Sequence, residues 1–491
     1  MLEELAGIIS NQLDGALGVL PLYIILKFTV LLTAFVPGIS ILAMFAIWLE
    51  RKVSAHMQGR IGPMETGGFH GWLQSLADGL KLLQKEDLMP ASADGLLFKF
   101  APYVAFAPVF TAFLALPFGP QFIFESGLNI GVLYVLAMLA IEVMAVIMAG
   151  WGSNSKWSIY GAMREACQMV SYEIPLGMSI LAGVMVAGTL DLLELSYLQG
   201  GGIHKWFIFH NPFVFLAFFV YFVSSLAENK RAPFDLPEAE SELVAGFLTE
   251  YSGIRWSLFF FAEYSAMFAV GGIQAALFLG GWNSPLGSWD PIYNILGYDP
   301  VTAGQGFFAG TITGGAAEQA LGMGLANADG TGNILGMILI NLYCFAWFST
   351  KAMAIVFVQM WLRWTLPRIR MDQVLYSCVK VLLPASILLF LATMGFVAVF
   401  GDAVPENYTG PIRLLHLIQN DNAWIRMPLA FLAVAAFAYF FVWLPIKAFL
   451  SRDNHPKQSM FPDIMPVGNT IAFTKHDTPE DEISEGIITE S

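Results

Sequence analysis

Apolar runs of roughly 20 residues, the length that about 30 Å of hydrocarbon demands, recur along the chain. They lie near 21 to 48, 101 to 118, 128 to 150, 171 to 190, 213 to 227, 256 to 280, 334 to 362, 379 to 400 and 428 to 450. The pattern predicts an all-α, polytopic integral membrane protein with about nine transmembrane helices. The run from 334 to 362 carries Lys351 inside it and is long enough to tilt. A different period occurs in "GFHGWLQSLADGLKLLQKED". There Trp72, Leu73, Leu76, Leu80 and Leu83 return at three- and four-residue steps, with Asp78, Lys81 and Lys85 elsewhere on the wheel. This predicts an amphipathic helix in the membrane interface, either a simple anchor or one wall of a lateral opening for an amphiphile.

Composition agrees: 56% of residues are hydrophobic and 13% charged, and the mean hydropathy is +0.63. A soluble core of this length would need more polar surface around it. Basic residues set the orientation. The connections after the first, third, fifth and seventh runs hold Arg51, Lys52, Arg60, Lys81, Lys85, Lys99, Lys156, Arg164, Lys230, Arg231, Arg255, Arg363, Arg368 and Arg370, while the opposite connections offer Lys205, Arg413 and Arg426. The odd connections are therefore expected to face the cytoplasm, with the N-terminus outside and the C-terminal tail inside. The acidic start "MLEELAGIISNQLD" is no signal peptide, so the first span should be retained. Three regions are expected: a membrane core over 1–400 with an extended outer loop at 280–332, an outer loop and extra span over 401–450, and an acidic cytoplasmic tail over 451–491.

Cys167, Cys344 and Cys378 lie far apart, and no histidine stands at metal-ligand spacing from another ligand. No metal, haem or iron–sulfur site is expected in this chain. A net charge of −14 argues against nucleic acid as a partner.

The acids are placed unevenly. "APFDLPEAESELVAGFLTEY" gathers Asp235, Glu238, Glu240, Glu242 and Glu250 with no base. Asp235 and Glu238 fit a helix start, where carboxylates meet free N–H groups and the positive end of the macrodipole. The remaining three would repel one another and hold protons near neutral pH if buried, or form a solvated acidic face if not. Glu263 and Glu142 each lie eight residues from the base-rich end of their spans, so both should sit about 12 Å deep at a rise of 1.5 Å per residue. Glu173 lies above them. An ionised acid at such depth costs about 2.5 to 3.5 kcal/mol on insertion scales, which favours a partner, a wet cavity or a proton. A protonated acid hydrogen-bonding between helices would explain one such residue; three beneath an acidic cluster suggest a proton path.

The stretches "ERK", "QGRIGP", "ADGLKLLQKE", "SNSKWSIYGAMR", "SYE", "RAPFDLPEAESELVAGF", "EY" and "RWTLPRIRMDQ" resemble the H-type membrane subunit of the proton-pumping NADH:quinone oxidoreductase, respiratory complex I, over about 21 to 400. The resemblance implies a translocase subunit of a bacterial inner (plasma) membrane that forms part of a quinone chamber and couples quinone reduction to proton translocation. Quinone, ubiquinone or menaquinone, would be the substrate. FMN and iron–sulfur clusters would lie on partner subunits and no redox centre on this chain. The partners implied are the peripheral-arm subunits B, C, D and I, the membrane subunits A, J and K, and the lipid bilayer. Arg51, Arg60, Asp78, Lys81 and Arg231 would belong to the quinone cavity, and Asp235, Glu238, Glu240, Glu242, Glu250, Glu263 and Glu173, with Glu142 beside them, to proton coupling. Departures from the family pattern are Met64 where Asn is usual, "ENKR" for "ETNR", Val379 for Trp, and Glu165 at a usually small position. The alternatives are the anchor subunit of an energy-converting membrane-bound hydrogenase and an autonomous proton-coupled transporter. The second is disfavoured because no inverted repeat is visible.

Overall fold

The computed structural model describes residues 19–400 apart from 121, 125–127, 237–239 and 297–333, all within one compact unit, Met1–Ala430. Helix α1 (Val19–Val30) passes through a π-helical turn, Leu31–Phe35, into α2 (Val36–Met57). Next come α3 (Gln74–Gln84), α4 (Gly95–Ala112), α5 (Gly131–Gly152), α6 (Lys156–Ala187), α7 (Pro212–Glu228), α8 (Gly253–Phe278) and α9 (Ile334–Thr365). Finally α10 (Met371–Tyr376) runs through a second π-helical turn, Ser377–Leu382, into α11 (Leu383–Phe400). No strand occurs among the described residues. Seven helical segments there are long and apolar enough to cross a membrane, and α7 is a shorter apolar helix over the fifth run. The ninth run, the tail and most of the expected outer loop lie outside the described residues.

Two helices begin earlier than their apolar runs, for local reasons. Helix α4 starts at Gly95 because Asp94 caps it, its Oδ1 accepting from the N–H groups of Leu96 and Leu97 at 3.1 and 3.5 Å. Helix α6 starts at Lys156, well before its apolar run begins at 171. Its first half is polar overall, yet Ser158, Ala162, Glu165, Met169, Tyr172 and Leu176 recur at three- and four-residue steps and all are buried. A hydropathy window averages that stripe away; a helical wheel keeps it.

Helix α8 is the most buried of the spanning segments and packs against α2, α4 and α9. Ala43, Ala46 and Ile47 of α2 meet Tyr264 and Met267 of α8 and Val356 and Met360 of α9. Around α4 and α5, Ala101, Ala105, Ala145 and Ala149 let the backbones approach, and Phe247, Leu248 and Tyr251 plug into the same cluster. The run of α9 tolerates Lys351 because its ammonium donates to the carbonyls of Leu279, Gly281 and Asn283 at 2.7, 3.0 and 2.5 Å. It caps the end of α8, where carbonyls lack partners. Helix α3 leaves Leu76, Leu80 and Leu83 exposed on one stripe, with Trp72 exposed just before it, as an interfacial helix should.

Candidate functional site

The polar chemistry collects where the base-rich ends of the helices meet. Beside the end of α2 lies a cavity of about 810 Å³ lined by Arg51, Ser54, Arg60, Ile61, Pro63 and Gln74. Lys52 shapes its rim, donating to Pro63 O at 2.5 Å and lying 3.1 Å from Met64 Sδ. Of the residues expected at a quinone cavity, Arg51 and Arg60 reach the wall. Asp78 joins it through an ion pair with Arg51. Lys81 is exposed on α3, and Arg231 is wholly buried elsewhere.

One residue before Arg51, the chain turns inward. Glu50, 5% exposed, accepts from Arg231 Nη1 at 3.2 and 3.0 Å, from Arg363 Nη1 at 2.6 Å and from the Tyr264 hydroxyl at 2.7 Å. Arg231 Nη2 lies 3.1 Å from Glu263 Oε1, and its guanidinium sits 4.4 Å from the centre of the Tyr264 ring. The neighbouring Lys230 donates to Glu142 Oε1 at 2.9 Å and forms an ion pair with Glu165. Glu263 and Glu142, matched in depth by counting, thus end on consecutive bases. Burial by itself would push both bases down; Glu142 and Glu165 outweigh it at Lys230, and Glu263 and Glu50 at Arg231, so each holds its proton above its ordinary value.

The acidic loop sits over this network but does not act as one body. Asp235 pairs with Arg368 at 3.0 Å, and the next helix is the short Glu240–Leu243, so Asp235 serves an ion pair and not the expected cap. Glu242 is exposed and meets Arg164 at 2.5 Å. Glu250 is half-buried at the turn into α8. Glu238 and the side chain of Glu240 lie outside the described residues. Glu173 faces outward from α6. What anchors the loop is backbone contact: a Cβ on Gly161 of α6 would come within 2.6 Å of Gly246 Cα, and Gly246 itself has φ +55°. Ser158 of the same helix donates to Phe247 O at 3.1 Å.

Counting along the sequence missed Glu50, Glu165, Lys230 and Arg363 as members of the network. Glu50 lies in "LERK", where a lone acid among bases reads as a surface turn, and Lys230 reads as an orientation signal. Only tertiary pairing turns them inward. The usable signal was that "ENKR" and Glu165 both depart from the family pattern, and the two departures meet in one ion pair.

A family model described as NADH dehydrogenase matches residues 29–394. Among relatives, the H subunit of the NADH-quinone oxidoreductase of Chlorobium luteolum is 47% identical, over 71% of this chain and 83% of its own. That of Chlorobaculum tepidum is 47% identical over 71% and 86%. The corresponding subunit from Geobacillus thermodenitrificans is 42% identical over 71% and 88%.

Proposed function

The chain belongs to the NADH dehydrogenase family as an H-type subunit of NADH-quinone oxidoreductase, and we propose that it joins quinone chemistry to proton movement through the adjacent pair Glu50 and Arg51. As a membrane subunit of that oxidoreductase it works beside other subunits of the complex, with quinone as the complex's substrate. Flavin and iron–sulfur clusters on those partners would deliver the electrons; this chain supplies the wall and the charges.

One observation carries the proposal. Arg51 lines the cavity, while Glu50, its neighbour on α2, is buried among Arg231, Arg363 and Tyr264. Any change of charge in the cavity acts on Arg51 and Asp78 and, one residue along the same helix, on Glu50. In this reading Arg51, Arg60 and Gln74 offer donors to the carbonyl oxygens of a quinone headgroup. A quinone that gains two electrons takes up two protons, and the resulting change of field shifts the carboxylates paired to Arg231 and Lys230. The acidic loop, tied to the same bases by its position after "ENKR", relays that shift along the membrane.

Glu263→Gln and Glu240→Gln test this in the whole complex. Each is expected to lower quinone reductase activity and coupled proton pumping together while leaving assembly intact. Full activity and full pumping in both variants would remove the coupling role.

A further inference from the structure

Charges around the two central bases do not balance in the same way. At Arg231 the count closes, since Arg231 and Arg363 meet Glu50 and Glu263. At Lys230 two carboxylates, Glu142 and Glu165, share one ammonium. Glu228 on α7 adds a third acid whose Oε2 is buried without a hydrogen bond.

The weakest-served of these is Glu165. Its side chain is 0% exposed, and apart from the contact with Lys230 no donor reaches either of its oxygens. Lys230 touches it as an ion pair but also donates to Glu142 Oε1 at 2.9 Å. The ammonium also lies 5.3 Å from the centre of the Phe247 ring. An ionised carboxylate with half a cation and no other donor is costly in such a place, and a neutral acid far less so. The remaining titratable groups that act on this pair are acids: Glu142 and Glu263 on Glu165, and Glu142 and Glu173 on Glu228. Arg231 is taken up by Glu50 and Glu263.

We infer that Glu165 carries the exchangeable proton of the network, with Lys230 as the fixed cation that sets its charge against Glu142. Protonated, the group of Glu142, Glu165 and Lys230 is neutral. When Glu165 passes its proton out of the group, to a carboxylate beyond Glu142 or to water, the group becomes −1, and Lys230 cannot neutralise both acids. That charge bears on Glu263 and so on Arg231 and Glu50. This inference rests on the coupling reading above and assigns the mobile proton to one of the carboxylates paired to Lys230.

Glu165→Gln in the intact complex, reconstituted in vesicles, is the test. It keeps the shape of the side chain and leaves Lys230 paired one to one with Glu142. The variant is expected to assemble and reduce quinone, to pump fewer protons per quinone reduced, and to lose one protonated-carboxyl band from the infrared difference spectrum of quinone reduction. Glu165→Asp should restore the band at a shifted position and part of the pumping, which a merely structural residue would not do. A Glu165→Gln complex that keeps both its full pumping and the band overturns the inference, as does a Glu165→Asp spectrum with no shift. In either case losses in Glu263→Gln or Glu240→Gln would leave the coupling reading standing. Undiminished pumping in all three Gln variants would sink both.

Discussion

Arg231 is the most buried base among the described residues, at 1% exposure: it holds Glu50 by two hydrogen bonds, Glu263 by an ion pair and the face of Tyr264. A planar guanidinium meets carboxylates on different sides at once, which an ammonium cannot do as well. Arg231→Gln leaves two buried carboxylates facing one remaining base, Arg363. Losing one partner of a buried pair costs about 3 to 5 kcal/mol, so this variant is expected to lower the unfolding temperature of the purified complex sharply, and Arg231→Lys to lower it less. Equal melting temperatures in calorimetry would show that the pairs contribute nothing net. Lys230 adds a pH argument. Its folded-state affinity for the proton is raised, so the stability it brings is fully present below the ordinary lysine value and is lost only as pH rises through its higher folded value. Pairing at Lys230 is therefore constant across the neutral range, and any pH dependence of coupling there belongs to the carboxylates. These residues also mark where the sequence was hardest to read. Depth counting found Glu142 and Glu263 because each stands alone in an apolar run, but Glu50 stands beside Arg51 and Lys52, and its inward turn depends on a partner 181 residues away.

The helices were legible wherever burial goes with an apolar run, and less so where one face is buried and the other polar. Helix α6 is the clearest case: its polar first half is helical because a stripe from Ser158 to Tyr172 packs inward. The same stripe carries Glu165, so the missed half-helix and the missed acid are one omission. Packing of α6 against the acidic loop gives a prediction. Gly161 and Gly246 meet backbone to backbone, and a side chain at 161 has no flexible neighbour to displace. Overpacking of this kind costs about 1 to 3 kcal/mol. Gly161→Val is expected to lift the segment from Glu240 to Leu248 off α6, breaking the bond from Ser158 to Phe247 O. Hydrogen exchange should then quicken at that segment while the amides in the middle of α8 keep their protection. Unchanged exchange at 240–248 would mean that the aromatic plug of Phe247 and Tyr251 holds the loop by itself.

The polar groups of the described chain are one-sided, and this decides how it should sit in a bilayer. The cavity, the buried network and the acidic loop all gather at the helix ends that carry Arg51, Arg60, Lys156, Arg255, Arg363 and Arg368. At the opposite ends, Lys351 is withdrawn into a cage of three carbonyls and is no surface base. The described residues of that end include exposed Trp289, His204 and Glu194 and the half-exposed Lys205. Retention of basic residues on the cytoplasmic side makes an orientation with the cavity end inward the expected one, with water-soluble partners of the complex meeting it there. The opposite end supplies the cleaner test, because no peripheral arm should cover it. In a Cys167→Ser background, which removes the exposed native thiol and leaves the buried Cys344 and Cys378 silent, His204→Cys and Trp289→Cys provide two reporters. Trp289 is 88% exposed, and both positions precede the undescribed part of the outer loop. A membrane-impermeant maleimide is expected to label both in right-side-out vesicles and neither in inverted ones. Labelling only in inverted vesicles would reverse the orientation and detach the acidic loop from any cytoplasmic source of protons, so the coupling reading would have to be rebuilt from the other face.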